Sequence, residues 1–187
     1  MKMVHMKSLE DILKDRKARA KEALEIFDSL EPVSVDFMIG RWKGFEIESN
    51  HQMDGLLAPS GWYGKLFLNP EEVHPLLFYT KNRTGLYSVN PRIVPMHMRF
   101  PKSDVVGILM KLVKPVLQTK KSTARLRMIE YRNKVTATMC YDEKPIMDHF
   151  AKIDEKRVMG IMDLKGVAEP YIFILERDDD SDLKQNF

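Results

Sequence analysis

The chain has one cysteine, Cys140, in 187 residues. An internal disulfide is excluded, and no Cys-x-x-Cys pair or Cys/His spacing of a structural zinc site occurs. Such poverty in cysteine suits a reducing compartment, so a cytoplasmic protein is expected. No apolar run of about 18 residues occurs, which leaves no candidate for a membrane-spanning helix. The opening stretch MKMVHMKSLEDILKDRKARAKEAL is charged throughout and has no apolar centre of a signal peptide. Enzyme signatures are also missing: there is no Walker loop, Gly-x-Gly-x-x-Gly, Gly-x-Ser-x-Gly elbow or His-Glu-x-x-His. The sequence therefore assigns no catalytic residue, metal ligand or cofactor.

Apolar side chains make up 44% of the chain and charged ones 30%, enough to build one core without a staple. The 30 basic and 27 acidic residues leave a net charge of +3, a near balance that gives no footing for a nucleic-acid partner. The charge is unevenly spread. Asp178, Asp179, Asp180 and Asp182 make an acidic tail over 178–187, whereas Lys111, Lys114, Lys120, Lys121, Arg125, Arg127 and Arg132 face only Glu130.

Residues 8–30, within an N-terminal segment 1–31, read as a helix opened by Ser8, with Glu10 and Asp11 in its first turn. Its centre, Lys14 to Lys21, is almost wholly charged, so the first half is expected to project or fray. Leu13, Leu24 and Phe27 on this helix suit either a homodimer contact or a plug for the end of a sheet structure. Glu31 and Pro32 end it.

Beyond Pro32, short β-branched and aromatic runs alternate with turn residues, the pattern of an antiparallel all-β unit. Strands are predicted at 43–49, 61–68, 76–80, 85–89, 93–99, 124–131, 134–141, 145–152, 157–163 and 171–177. The last five make a meander, the first four of them joined by Arg132-Asn133, by a turn around Asp142-Glu143 and by Asp154-Glu155-Lys156. Alternation sets Ala124, Leu126, Met128, Val135, Ala137, Met139 and Tyr141 on one face. Neither face is clean from Lys144 to Lys152, where Ile146, Asp148 and Phe150 alternate with Met147, His149 and Ala151. Between the two groups of strands, residues 103–121 read as an amphipathic helix that Pro115 bends or divides into two short pieces. It suits a cap on the core, a lid, or a peripheral membrane contact through 104–118.

The sharpest motif is Phe37-Met38-Ile39-Gly40-Arg41-Trp42-Lys43-Gly44. Gly40 permits a turn, Trp42 supplies a large apolar plug, and Gly44 allows close approach of a neighbour. The motif resembles the Gly-x-Trp signature of lipocalins and fatty-acid-binding proteins. More closely, the chain resembles the bacterial GXWXG-domain family, in which that domain is followed by a second one of unknown function. Further matches are Asp54-Gly55-Leu56-Leu57, Gly61-Trp62-Tyr63-Gly64-Lys65, His74-Pro75-Leu76-Leu77-Phe78, Ala124-Arg125-Leu126-Arg127-Met128, Ala137-Thr138-Met139, Tyr141-Asp142, Pro145-Ile146 and Met162-Asp163-Leu164-Lys165-Gly166. The resemblance implies a mainly β fold, an antiparallel lipocalin-like (calycin-type) β-barrel carrying the N-terminal and mid-chain helices. Residues 32–177 would form one unit, with a GXWXG half (32–100), the helix and a C-terminal meander (124–177).

By the same resemblance the expected ligand is a small hydrophobic or amphipathic molecule, a lipid or phospholipid. Thirteen methionines suit an adaptable apolar pocket. Trp42, Trp62, Tyr63, Phe78 and Met139 are its candidate lining. Arg125, Arg127, Tyr131, Tyr141, Asp148 and His149 are candidates for its polar end, because a guanidinium binds carboxylate or phosphate in two contacts. Two alternatives remain open: a small enzyme acting on a hydrophobic carbonyl or ester through Asp148 and His149, and a haem or gas-binding barrel with His149 as axial ligand. His74 reads as structural, Cys140 as inert, and His51 and Asp54 as polar loop residues.

Overall fold

A computed structural model describes residues 7–93 and 117–185. In chain order the elements are α1 (Leu9–Asp15), α2 (Ala20–Ser29), β1 (Glu31–Pro32), α3 (Val35–Met38), β2 (Gly40–Ile47), α4 (Leu57–Ser60), β3 (Trp62–Asn69), β4 (Glu72–Tyr79) and β5 (Gly85–Val89). After a 3-10 turn at Pro91–Ile93 come β6 (Gln118–Thr119), β7 (Ala124–Tyr131), β8 (Lys134–Tyr141), β9 (Ile146–Asp154), β10 (Arg157–Leu164), β11 (Tyr171–Arg177) and β12 (Lys184–Gln185). The meander forms as read, and β5, β7, β8 and β11 have the boundaries that alternation and turn residues predict.

Eight antiparallel strands close into a barrel in the order β4-β3-β2-β11-β10-β9-β8-β7. Closure falls between β7 and the first half of β4, where Val73 lies opposite Ala124, Thr123 N donates to Val73 O at 3.1 Å, and Leu126 N donates to Pro70 O at 2.8 Å. The second half of β4 instead pairs with β5, at Leu77, Phe78 and Tyr79. Pro75 lies between the two partners. Having no N–H, it occupies a position where no ladder bond is required of it.

Alternation sorts each strand between two cores. Inside the barrel Trp42, Phe67, Leu126, Met139, Phe150, Val158, Phe173 and Leu175 pack together, with Phe67 edge-on to Phe150 at 5.8 Å and Phe150 to Phe173 at 6.3 Å. On the outside, Ile47, Ala151, Met159, Ile161, Ile172 and Ile174 are covered by Ile12, Ala23 and Phe27. Residues on β11 are therefore buried on both faces, which explains its unbroken apolar sequence.

The N-terminal segment departs from expectation. It is two helices, broken at Arg16, whose φ is +54°. The charged centre has no apolar stripe to bury, so its backbone pairs with the end of β2: Glu48 N donates to Arg16 O at 2.9 Å and Ala18 N donates to Glu48 O at 3.0 Å. The first half neither projects nor frays, since Ile12 is fully buried against the sheet. Leu13, Leu24 and Phe27 pack on the outer face rather than into a barrel end. The predicted strand at 93–99, from residue 94, and the 103–121 helix with its 104–118 contact, up to 116, fall outside the described residues. The end predicted as helix is strand, because Gln118 and Thr119 pair with Val89 and Ser88.

The motif glycines carry steric duties. A Cβ on Gly44 would stand 2.2 Å from the Trp62 ring, and one on Gly64, whose φ is +151°, would stand 2.0 Å from the Trp42 carbonyl oxygen. Gly44→Ala is expected to lower stability by about 1–3 kcal/mol through overpacking. Urea unfolding checks this; an unchanged midpoint would show that the indole has room to move.

Candidate functional site

The backbone irregularity at Gly64 decides what the barrel contains. Pairing of β3 with β4 shifts register on both sides of that glycine. Trp62 and Phe67 consequently face inward while Tyr63 and Leu66 face outward, and the extra residue turns Lys65 into the interior.

There the Lys65 ammonium meets Asp148 from β9. The Nζ to Oδ2 distance is 2.8 Å, and the side chains are 3% and 1% exposed. The same Nζ donates to the Pro75 carbonyl at 3.3 Å, an acceptor at the changeover of β4 partners. Phe173, Tyr141 and Trp62 surround it, with ring centroids at 4.9, 5.9 and 6.0 Å. Burial pushes the Asp148 carboxyl above its usual range, and Lys65 opposes that shift. The polar inventory is incomplete. Among the described residues nothing donates to Asp148 Oδ1, and nothing accepts from Trp62 Nε1–H.

A second buried polar group is built on the connection between β2 and β3. Asp54 Oδ2 accepts from Ser49 N at 2.8 Å and from His51 N at 2.9 Å. His51 Nδ1 accepts from Met53 N at 3.2 Å, which leaves the proton of the neutral ring on Nε2. Burial lowers the His51 pKa, so the ring stays neutral at pH 7. His51 stacks at a tilt on Tyr171 at 5.4 Å, and the Tyr171 hydroxyl donates to Glu46 Oε2 at 2.5 Å. Burial raises the Glu46 carboxyl and, with Glu46 beside it, holds the Tyr171 phenol well above its usual range. Within the described residues, His51 Nε2 and Asp54 Oδ1 also have no partner. The reading of His51 and Asp54 as loop polarity is corrected here: both are buried, because the loop folds back over the barrel core through Met53 and Leu56.

The remaining candidates divide by face. Trp42 is the interior plug, its Nε1 donating to Met38 O at 2.8 Å. Phe78, stacked on Tyr87, and Met139 also point inward, as do Trp62, Tyr141 and Asp148. Tyr63 points outward and donates to Asp178 Oδ2 at 2.6 Å. Arg125 and Arg127 lie on the outer surface, 2.8 Å from Asp142 and 2.7 Å from Glu71 respectively, so they offer no polar end to an interior ligand. His149 is buried on the outer face, 2.9 Å from Thr138 Oγ1 and stacked on Tyr131 at 3.8 Å. Being consecutive on β9, Asp148 and His149 point to opposite faces and form no joint acid–base site. Nor does His149 reach into the barrel to ligate an interior group. His74 is structural as read, its Nδ1 lying 3.2 Å from Ser88 Oγ. Lys65 is the residue the sequence reading passed over; its signal was Gly64, a glycine inside a strand.

Known proteins share this architecture. Residues 25–82 match the GXWXG protein family and residues 122–177 match a domain of unknown function, DUF4334. A crystal structure of a protein from Thermomonospora curvata is 31% identical over 91% of this chain and 95% of that one, with a TM-score of 0.67. The chain belongs to the GXWXG family. No curated protein shows significant similarity to it. In this GXWXG protein the two matched segments are parts of one barrel: the first supplies β2 to β4, the second β7 to β11, and the closing contacts join them. Gly40, Trp42 and Gly44 stand on β2, the strand between β3 and β11. Among the described residues no group of acidic, His or Cys side chains is placed to hold a metal ion, and no helix is long and apolar enough to cross a membrane.

Two outcomes are expected. Replacing one partner of the interior pair, as in Lys65→Met or Asp148→Leu, costs about 3–5 kcal/mol, while the double variant costs less than either, because only the single changes strand a buried charge. A denaturation double-mutant cycle measures this, and additive losses would refute it. Separately, burial depresses the His149 pKa from 6.5 to about 4, so the unfolded chain takes up that proton before the folded one does. Stability therefore falls as pH drops from 6.5 towards 4, His149 contributing roughly 3 kcal/mol of that loss. His149→Asn should flatten the slope in denaturant titrations; an unchanged slope would remove His149 as its source.

Proposed function

We propose that this GXWXG protein binds a small amphipathic molecule, with its apolar part among the interior aromatic and methionine side chains and its polar end at Lys65 and Asp148. One observation carries the reading: a fully buried ion pair stands among interior aromatic side chains with its hydrogen bonding unfinished among the described residues, at Asp148 Oδ1 and at the neighbouring Trp62 Nε1. A buried pair contributes little or nothing to stability compared with apolar residues of the same volume, so its presence is better explained by recognition than by folding. Buried polar atoms without partners are rare in folded proteins and mark places where another molecule completes the set. An eight-stranded barrel is of the size that holds one small ligand. Membership of a family with lipocalin-like architecture adds fold-level analogy, which supports a lipid-sized occupant without naming it. The unpaired Cys140 supports a reducing, cytoplasmic place of action.

Native mass spectrometry of the full chain, followed by organic extraction, tests the proposal. A bound small molecule of defined mass, lost in the Lys65→Met/Asp148→Leu variant, is expected. A bare mass together with no saturable binding of any amphiphile would overturn it.

A further inference from the structure

Charge and hydrogen-bond capacity around Tyr171 distinguish between kinds of polar end. Glu46 accepts the Tyr171 hydroxyl, and Glu46, Asp54 and Asp148 all lie close enough to oppose ionisation of its phenol. Among the described residues one ammonium stands against these three carboxylates, that of Lys65, already paired with Asp148. The other buried cation among the described residues is Arg41, which lies on the outer face with Nε donating to Asp178 O at 2.8 Å and Nη2 to Ser181 O at 2.6 Å. His51 contributes no charge, since its buried ring is neutral. Even with Glu46 protonated, Asp54 and Asp148 outnumber Lys65.

The bare atoms agree with the charge count. Asp148 is 1% exposed and Asp54 4%, and each keeps one carboxylate oxygen without a donor among the described residues. The matching bare donors, Trp62 Nε1–H and His51 Nε2–H, are neutral and carry no charge to hold an anion. A carboxylate or phosphate brought here would add negative charge in a low-dielectric interior where the one ammonium among the described residues is already neutralised. A cationic amine would instead bring up to three donors to oxygens that lack them and relieve the surplus.

We infer that the polar end of the ligand is a protonated amine that donates to Asp148 Oδ1, with the Asp54 carboxylate adding to the negative charge around it, and that the barrel disfavours fatty acids and phosphate head groups. This rests on the amphiphile-binding reading above and narrows its ligand class. It also replaces the role that Arg125 and Arg127 would have had towards an anionic head group.

The experiment compares decylamine, decanol and decanoate on the full chain at pH 7, each below its micelle threshold. Calorimetry gives affinity, and the indole N–H resonances in a 15N-labelled sample report location. Decylamine is expected to bind at least tenfold more tightly than decanoate, with decanol between them, and to shift the Trp62 indole resonance while leaving that of Trp42 in place. Asp54→Asn should bring the amine and alcohol affinities together. Equal or tighter binding of decanoate overturns the amine assignment and leaves amphiphile binding intact. Amine binding without a shift at Trp62 overturns it as well, by placing the amine elsewhere. Failure of all three probes to bind overturns the amphiphile reading itself. The wild-type ranking decides even where a variant fails to fold.

Discussion

The contact between Lys65 and Asp148 organises this molecule, because several local oddities of the chain exist in relation to it. Gly64 must admit an extra residue for Lys65 to face inward. Pro75, at the point where β4 exchanges β7 for β5, offers its carbonyl to the same ammonium. Gly44 must lack a side chain so that the Trp62 ring can lie beside the lysine. Glycines and a proline inside strands ordinarily weaken a sheet. In this barrel they accommodate one buried ion pair among aromatic side chains.

The barrel is built with more apolar strand surface than its interior needs. Outward residues of β2, β9, β10 and β11 form a second core, and α1 and α2 spread over them. This outer layer accounts for the continuous apolar character of the central strands and for the burial of His149, which belongs to that layer and not to the barrel. Two chemically different environments are thus separated by the thickness of one sheet: a polar, carboxylate-rich cluster inside and a helix-covered apolar face outside.

Most of the architecture was legible from residues alone. Alternation and turn chemistry located the meander, and the tryptophan of the motif was read as a plug, which its full burial matches. The interior site was legible only in part. Asp148 stood out as a polar residue on a strand with no clean face, but its partner was hidden because period-2 reasoning sends Lys65 outward unless the bulge at Gly64 is counted. The same period, applied strictly, separates His149 from Asp148 and turns Arg125 and Arg127 to solvent. His51 and Asp54 were misread for a different reason. Loop composition says nothing about a loop that folds back over a core, and only the packing of Met53 and Leu56 reveals it. The break at Arg16 likewise depends on a tertiary partner, the end of β2, that no local pattern announces.

The seam between β2 and β11 fixes the order in which the molecule is able to form. Arg41 lies 138 residues from Asp179, the carboxylate that accepts its backbone N–H, and its guanidinium is bound by the carbonyls of Asp178, Ser181 and Leu183. During synthesis the motif strand emerges early and must wait with one edge bare until nearly all the described strands have left the ribosome. Long-range pairing of this kind slows folding and leaves unpaired strand edges open to neighbours. The helices α1 and α2, which precede β2 in the chain and rest on it and its neighbours, are positioned to shield part of that waiting surface.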